Sequence, residues 1–187
     1  DLMGDENGIN PNDITALYKK HRIRMIFLNP IFQNPTGTLM SEERRKKVLE
    51  LSSEYGIPVV EDDPYSLTSF NGEKIQTLKS LDHYGNVLYI SSLTKIVASG
   101  LRIGWIIGPN AVIERLSDAK QQVDFGHASY TQWIANDFID SNGFESHIRN
   151  LVNQLESRRN QIVKSLQTYL KNQVNFYIPE GGIHIWC

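Results

Sequence analysis

Three short apolar runs, each followed by polar residues and separated by helical patterns, constrain the fold more than any other feature of this sequence. The runs cover residues 25–28, 57–60 and 87–90. Each is continuously apolar rather than alternating, which is typical of strands buried on both faces of a sheet. A helical pattern over residues 41–55 lies between the first two runs, with Ser41 as its N-cap. The sequence therefore predicts an α/β fold with a mainly parallel sheet flanked by helices.

The rest of the chain continues this alternation and then becomes mostly helical. A fourth strand is expected at residues 103–107. The periodicity predicts helices over 112–123, 130–140 and about 144–170, and strands over 174–178 and 183–186. We place a domain boundary within the long helix, between residues 145 and 146.

Composition excludes several classes of protein. The 19 Lys and Arg against 21 Asp and Glu give a net charge of −2, without the basic surface that nucleic-acid binding needs. The one cysteine, Cys187, allows no internal disulfide and fits a cytoplasmic protein. No apolar run reaches the roughly 20 residues of a membrane span, and the histidines show no metal-binding spacing. The chain begins without Met and stops within an apolar run, so we expect it to be a fragment.

Polar residues cluster where the predicted strands end. Asn34 follows the first strand and Asp62 the second, while Lys95 follows the third and Arg102 precedes the fourth. Taken singly, each has an ordinary interpretation as a turn residue, a cap or a surface charge. Together they matter more, because ligands of open α/β sheets bind beyond the carboxyl ends of the strands.

Four motifs in this order resemble the core of the fold-type I, pyridoxal 5'-phosphate (PLP)-dependent aminotransferases. They are Asn-Pro-Thr-Gly at 34–37, Asp-Asp-Pro-Tyr at 62–65, Ser-Leu-Thr-Lys at 92–95 and Gly-Leu-Arg-Ile-Gly-Trp at 100–105. Pro-Glu-Gly-Gly at 179–182 extends the resemblance, which runs from about residue 5 to 186. It implies that residues 1–145 belong to a large PLP-binding domain. Residues 146–187 would be a connecting helix and the truncated start of a small C-terminal α+β domain.

The resemblance implies catalytic roles for a lysine and an aspartate. Lys95 is similar to the lysine that forms a Schiff base with the cofactor and later moves the substrate proton, for which its amine must be neutral. Asp62 is similar to the carboxylate that keeps the pyridine nitrogen protonated, so that the ring can accept electrons. Its three-residue offset to Tyr65 distinguishes Asp62 from Glu61 and Asp63, which we interpret as structural.

Further cofactor-binding residues follow from the same resemblance. Asn34 and Tyr65 are similar to the pair that hydrogen-bonds the phenolic oxygen of PLP, and Tyr65 is also counted as catalytic. Ser92, Thr94 and Arg102 resemble phosphate ligands, and a guanidinium suits phosphate geometry. The usual lysine motif, Gly-Ser-Phe-Ser-Lys, reads Ser-Ser-Leu-Thr-Lys here at 91–95, so Leu93 replaces an aromatic residue while Thr94 keeps a hydroxyl. After the motif, Ser99 stands where Pro is common.

Two functions remain open at this point. The first is an aminotransferase that moves an amino group from an α-amino acid to a 2-oxo acid, in the branch of aromatic, 2-aminoadipate and kynurenine aminotransferases. The second is the effector-sensing domain of a GntR/MocR-type transcription regulator, in which the lysine and the aspartate are also retained. Pro64 in the acidic motif favours the enzyme.

The family resemblance also implies parts that lie outside this chain. These are a glycine-containing phosphate turn and a ring-stacking aromatic upstream, and a carboxylate-binding arginine downstream. We therefore expect residues 1–187 alone to bind PLP weakly or not at all and to catalyse no amino transfer. The intact protein is expected to form a homodimer.

Overall fold

A four-stranded sheet with helices packed against it organises the chain, of which the computed structural model describes residues 2–124, 126 and 128–187. The strands are β1 (Gly4–Asp5), β2 (Gly8–Ile9), β3 (Ile26–Leu28), β4 (Val59–Asp62), β5 (Val87–Ser92) and β6 (Gly104–Ile107). The helices are α1 (Asn12–Lys20), α2 (Glu42–Tyr55), α3 (Leu78–Leu81), α4 (Asn110–Val123), α5 (Ser129–Asp140) and α6 (Gly143–Ser165). A π-helical turn over Leu166–Leu170 extends α6.

The strand order is β3-β4-β5-β6. The first three strands are parallel and β6 is antiparallel to β5, whereas β1 and β2 form a separate hairpin that the sequence pattern does not reveal. Because β6 runs in the opposite direction, its first residue lies beside the last residue of β5. The carboxyl ends of β3, β4 and β5 and the start of β6 therefore share one edge of the sheet.

Helix α2 shows how the sequence sets the helical layer. The Ser41 hydroxyl accepts a hydrogen bond from the Arg44 amide at 3.3 Å, and Gly56 ends the helix in the left-handed conformation with φ of 63°. Its buried side chains join apolar residues of α1, α3 and β3–β5 in the largest core. That core consists of Ile14, Ile26, Leu28, Met40, Val48, Leu49, Leu51, Ile57, Val59, Leu78 and Val87. The predicted helix over 41–55 is confirmed.

A second apolar cluster lies beneath the turn that follows β5. Leu93 and Ile96 are buried there against Ala135 of α5, with Ile148 and Leu151 of α6 packed around them. Packing within this cluster holds the turn after β5 against α5 and α6. The cluster also gives Leu93 a packing role in the core.

Two of the predicted strands are wrong. Residues 174–178 and 183–186 form no strand, because a strand needs a neighbouring strand and none pairs with these segments within the described residues. The segment instead docks on the loop after β4. There the Phe70 amide donates to the Glu180 carbonyl at 2.8 Å, and Ser69 bridges to Gly181.

No helix in the described part of the chain combines the length and apolar character needed to cross a membrane.

Candidate active site

Three consecutive acidic residues, Glu61, Asp62 and Asp63, stand at the end of β4. Successive side chains of a strand point to opposite faces, so Asp62 faces away from its two neighbours. Glu61 is fully buried, and its carboxylate oxygens accept hydrogen bonds from the amides of Leu78 at 2.7 Å and Lys79 at 2.8 Å. Burial raises the pKa of Glu61 to about 7. Glu61 therefore anchors the first turn of α3 and does not face the edge where Asp62 lies.

Asp63 is also committed to the fold. It is 1% exposed, and its carboxylate accepts hydrogen bonds from the Ser66 amide at 2.9 Å and the Tyr89 hydroxyl at 2.8 Å. The Ser91 hydroxyl donates to the Asp63 carbonyl at 2.6 Å. These contacts tie the turn that carries Tyr65 to β5. The interpretation of Glu61 and Asp63 as structural residues agrees with this geometry.

Asp62 lies between them in sequence, is half-buried, and faces the opposite side of the strand. Among the residues that the structure describes, none donates a hydrogen bond to its carboxylate. Burial, and then the charge of Asp63, raise the pKa of Asp62. A protonated nitrogen placed opposite this carboxylate would relieve both effects, and such a nitrogen is the partner that the family resemblance implies for Asp62.

The turn after β5 presents the candidate lysine. Ser91 faces inward, so Ser92 at the strand end faces the other side, and Thr94 and Lys95 follow in the turn. The Val97 amide closes this turn by donating to the Leu93 carbonyl at 2.9 Å. With Leu93 and Ile96 buried on either side, Lys95 is held at the surface, where its side chain is exposed.

Arg102 approaches the same place from β6. It lies two residues before Gly104, which pairs with Ser92. A Cβ atom at Gly104 would lie 3.0 Å from the Ser91 carbonyl oxygen, so glycine lets the two strands meet closely. Arg102 is exposed and holds a left-handed backbone with φ of 53°, a conformation that is unfavourable for a residue with a Cβ. Such strain is common at functional sites.

Asn34 and Tyr65 complete the group on the β3 and β4 side. Asn34 lies in the loop after β3, and its amide donates to Oδ1 of Asn29 at 2.8 Å. The Tyr65 ring is 2% exposed and packs with Ile31 and Phe32. Burial, and then the charge of Asp62, raise the pKa of Tyr65.

The structure brings one residue to the site that the motifs do not reveal. The ring of His184 meets the ring of Tyr65 edge-on, with centroids 5.5 Å apart. Burial, and then the charge of Lys95, lower the pKa of His184. This position depends on Gly181, where a Cβ atom would lie only 2.2 Å from Phe32 Cζ. The Pro-Glu-Gly-Gly motif signals this docking, but not which later residue reaches the site.

The seven predicted site residues converge at one edge of the sheet, and their side chains share one property. Among the described residues, none of these side chains has a hydrogen bond or an ion pair: Asn34, Asp62, Tyr65, Ser92, Thr94, Lys95 and Arg102. A cavity of about 360 Å³ opens beside Asn34 and Asp62. Two hydroxyls and a guanidinium are suitable donors to a phosphate, and a carboxylate to a ring N–H. The residues therefore fit PLP.

Comparison with known proteins decides the family. The profile of "Aminotransferase class I and II" matches residues 4–187. The chain belongs to this family. The crystal structure of Pyrococcus horikoshii kynurenine aminotransferase, solved in complex with PMP, superimposes with a TM-score of 0.90 at 34% identity, over 95% of this chain and 45% of that one. The predicted fold, PLP-dependent transferase fold type I, is confirmed.

Two curated relatives carry different names. The uncharacterized HTH-type transcriptional regulator YisV of Bacillus subtilis is 38% identical over 99% of this chain and 38% of its own length. Aromatic-amino-acid aminotransferase 1 of Thermococcus litoralis is 36% identical over 89% of this chain and 40% of its own length. The chain thus spans about two fifths of the curated relatives that it matches.

Proposed function

We propose that the protein containing this chain binds PLP and transfers an amino group from an α-amino acid to a 2-oxo acid. The observation that carries the proposal is that seven polar side chains lie at one sheet edge, without side-chain hydrogen bonds or ion pairs to the described residues. Their neighbours Glu61 and Asp63, in contrast, are fully engaged in the fold. Pyridoxal phosphate is the cofactor of the aminotransferases in this family.

Each residue has a defined task in this proposal. Lys95 would hold PLP covalently through its Nζ, with the aldehyde oxygen leaving as water. Once the substrate amine has displaced it, the free Lys95 amine would carry the proton between the substrate Cα and the cofactor. Asp62 holds a proton on the pyridine nitrogen. When bound, PLP supplies a ring that delocalises the electron pair left on the substrate Cα.

The remaining residues bind and orient. Asn34 and Tyr65 donate hydrogen bonds to the phenolic oxygen and stabilise its anionic form. Ser92 and Thr94 donate hydroxyl groups to the phosphate, and Arg102 pairs with its charge. Because Ser92 pairs with Gly104, two residues after Arg102, we expect the phosphate at the β5–β6 side of the edge.

The test uses the full-length protein. After loading with PLP, it is mixed with a panel of α-amino acids, and formation of the corresponding 2-oxo acids is followed by mass spectrometry. We expect turnover with at least one donor, and none for Lys95→Ala. Lys20→Ala, which changes an exposed lysine at the end of α1, is the matched control and should remain active. PLP binding without any amino transfer would contradict the enzymatic part of the proposal.

A second function, effector sensing by a transcription regulator, is favoured by the match to YisV over 99% of this chain. In this case PLP binds through the same residues, but the outcome is a change in DNA affinity. Gel-shift titration of the full-length protein with and without PLP separates the two functions. A PLP-dependent change in DNA affinity without 2-oxo acid formation would favour effector sensing over amino transfer as the function.

The same proposal includes a cytoplasmic homodimer. The homodimer is supported by an exposed apolar surface on the last strand, β6, and on α5. In β6, Ile106 and Ile107 are 43% and 50% exposed, and in α5 Tyr130 and Trp133 are 78% and 69% exposed. Sedimentation of the full-length protein measures the assembly, and a monomer would contradict it.

A further inference from the structure

The side-chain amide of Asn29 joins two parts of the candidate site, the loop that carries Asn34 and the end of β4 that carries Asp62. Its Nδ2 donates to the Asp62 carbonyl at 2.6 Å, and its Oδ1 accepts from the Asn34 amide at 2.8 Å. Asn29 directly follows β3, whose last residue Leu28 pairs with Glu61 of β4. The side chain therefore continues the link between β3 and β4 one residue beyond the backbone ladder.

Apart from the packing of Ile31 and Phe32 against Tyr65, the loop that carries Asn34 is closed on itself by backbone hydrogen bonds. The Met40 amide donates to the Pro30 carbonyl at 2.8 Å, and the Gln33 amide donates to the Thr38 carbonyl at 2.9 Å. These bonds fix the shape of the loop but not its place relative to Asp62. The amide of Asn29 supplies the polar link between the two, because it binds the loop with one atom and the end of β4 with the other.

We propose that Asn29 is a positioning residue that sets the spacing between Asn34 and Asp62, so that both can engage PLP. The inference rests on the proposed cofactor binding. Asn34 would hold the phenolic oxygen and Asp62 the ring nitrogen, which belong to one rigid ring. An error in their spacing cannot be absorbed by the ring, so loss of the Asn29 contacts weakens both hydrogen bonds together.

Two variants separate the two contacts. Asn29→Leu keeps a similar volume and removes both hydrogen bonds. Asn29→Asp keeps the acceptor for the Asn34 amide and removes the donor to the Asp62 carbonyl. Asn150→Ala, at an exposed position of α6, is the control.

Three readouts are taken on the full-length protein. The dissociation constant for PLP and the visible circular dichroism of the bound cofactor report ring placement. Hydrogen exchange at the Asn34 amide in the cofactor-free protein reports the loop contact alone. We expect Asn29→Leu to weaken PLP binding about tenfold, to change the circular dichroism and to accelerate Asn34 exchange. Asn29→Asp should weaken PLP binding yet keep Asn34 protected.

The outcomes distinguish this inference from the function on which it rests. If the unchanged protein does not bind PLP, the proposed function fails and the inference fails with it. If the unchanged protein binds PLP and Asn29→Leu binds it with the same affinity and the same circular dichroism, only the role of Asn29 is overturned. If Asn29→Leu does not fold, normal PLP binding by Asn29→Asp overturns it.

Discussion

The acidic end of β4 and the lysine turn after β5 lie side by side, but they differ in how far their side chains are bonded within the fold. At β4, Glu61 and Asp63 are buried and bonded to α3, β5 and the turn before Thr68, and Tyr65 is held in an apolar cluster. Beyond β5, Lys95 and Arg102 are exposed, and β6 is exposed along its whole length. At the end of β4 most polar side chains are engaged within the fold, whereas beyond β5 the side chains of Lys95 and Arg102 are exposed.

This difference separates two kinds of substitution. Changes to the engaged residues of β4 should lower stability, whereas changes to the outward residues should affect the cofactor and leave stability almost unaltered. The contrast is sharpest between neighbours in sequence, because Asp62 and Asp63 have the same chemistry and opposite environments.

The largest expected effect is on catalysis by Asp62→Ala. Without a carboxylate to hold the ring proton, removal of the substrate α-proton in the full-length protein should slow at least about a hundredfold. Stability should not fall, since the half-buried carboxylate has no hydrogen-bond donor among the described residues. Solvent deuterium incorporation at Cα and urea unfolding measure the two quantities. Asp118→Ala, in exposed α4, should change neither.

Asp63→Ala should produce the opposite result. It leaves the Tyr89 hydroxyl and the Ser66 amide without their acceptor in a buried setting, which costs about 3 kcal/mol of unfolding free energy. Urea unfolding measures the loss. If Asp63→Ala were as stable as the unchanged protein while Asp62→Ala unfolded readily, the division between the two residues would be reversed.

Glu61 should give β4 a pH dependence. Burial raises its folded pKa to about 7 from the ordinary 4.5, so between these values the folded state binds the proton more tightly. This contribution to stability is present at low pH and is lost as pH rises through the window, by about 1–3 kcal/mol. Relative to Glu61→Gln, which does not titrate, the unchanged protein should therefore lose stability between about pH 4.5 and about pH 7, the two pKa values of this carboxyl. Equal pH slopes for the two proteins would contradict the burial of this carboxylate.

Only a small effect on stability is expected for Arg102→Gly. Glycine accepts the left-handed backbone without strain, and this gain is offset by greater freedom of the unfolded chain, so stability should change by less than about 1 kcal/mol. PLP affinity should fall because the phosphate loses its charge partner. Lys171→Gly also replaces a residue of positive φ and is the matched control, with no effect on PLP. Equal loss of PLP affinity in both variants would contradict the role of Arg102.

The sequence predicts the parts of the site that depend on local periodicity. Continuous apolar runs locate β3, β4 and β5, and the parallel order brings their polar ends together. The resemblance selects Asp62 over its two acidic neighbours, and strand alternation gives the physical reason for that choice.

Contacts between distant segments could not be read from the sequence. Asn29 and Asp62 are 33 residues apart, and His184 reaches Tyr65 only because the chain after α6 folds back over Phe32. The two predicted strands at 174–178 and 183–186 fail for a related reason. Apolar extended segments become strands only when a partner strand lies beside them, and periodicity does not report partners.

Borohydride reduction tests the central claim most directly. The full-length protein is incubated with PLP, reduced, digested and analysed by mass spectrometry for lysines that carry the reduced cofactor. The structure predicts one adduct, on Lys95 and in near-stoichiometric yield, and no adduct in the Lys95→Ala variant. A stoichiometric adduct on another lysine, or one that persists in Lys95→Ala, would contradict the account of the site.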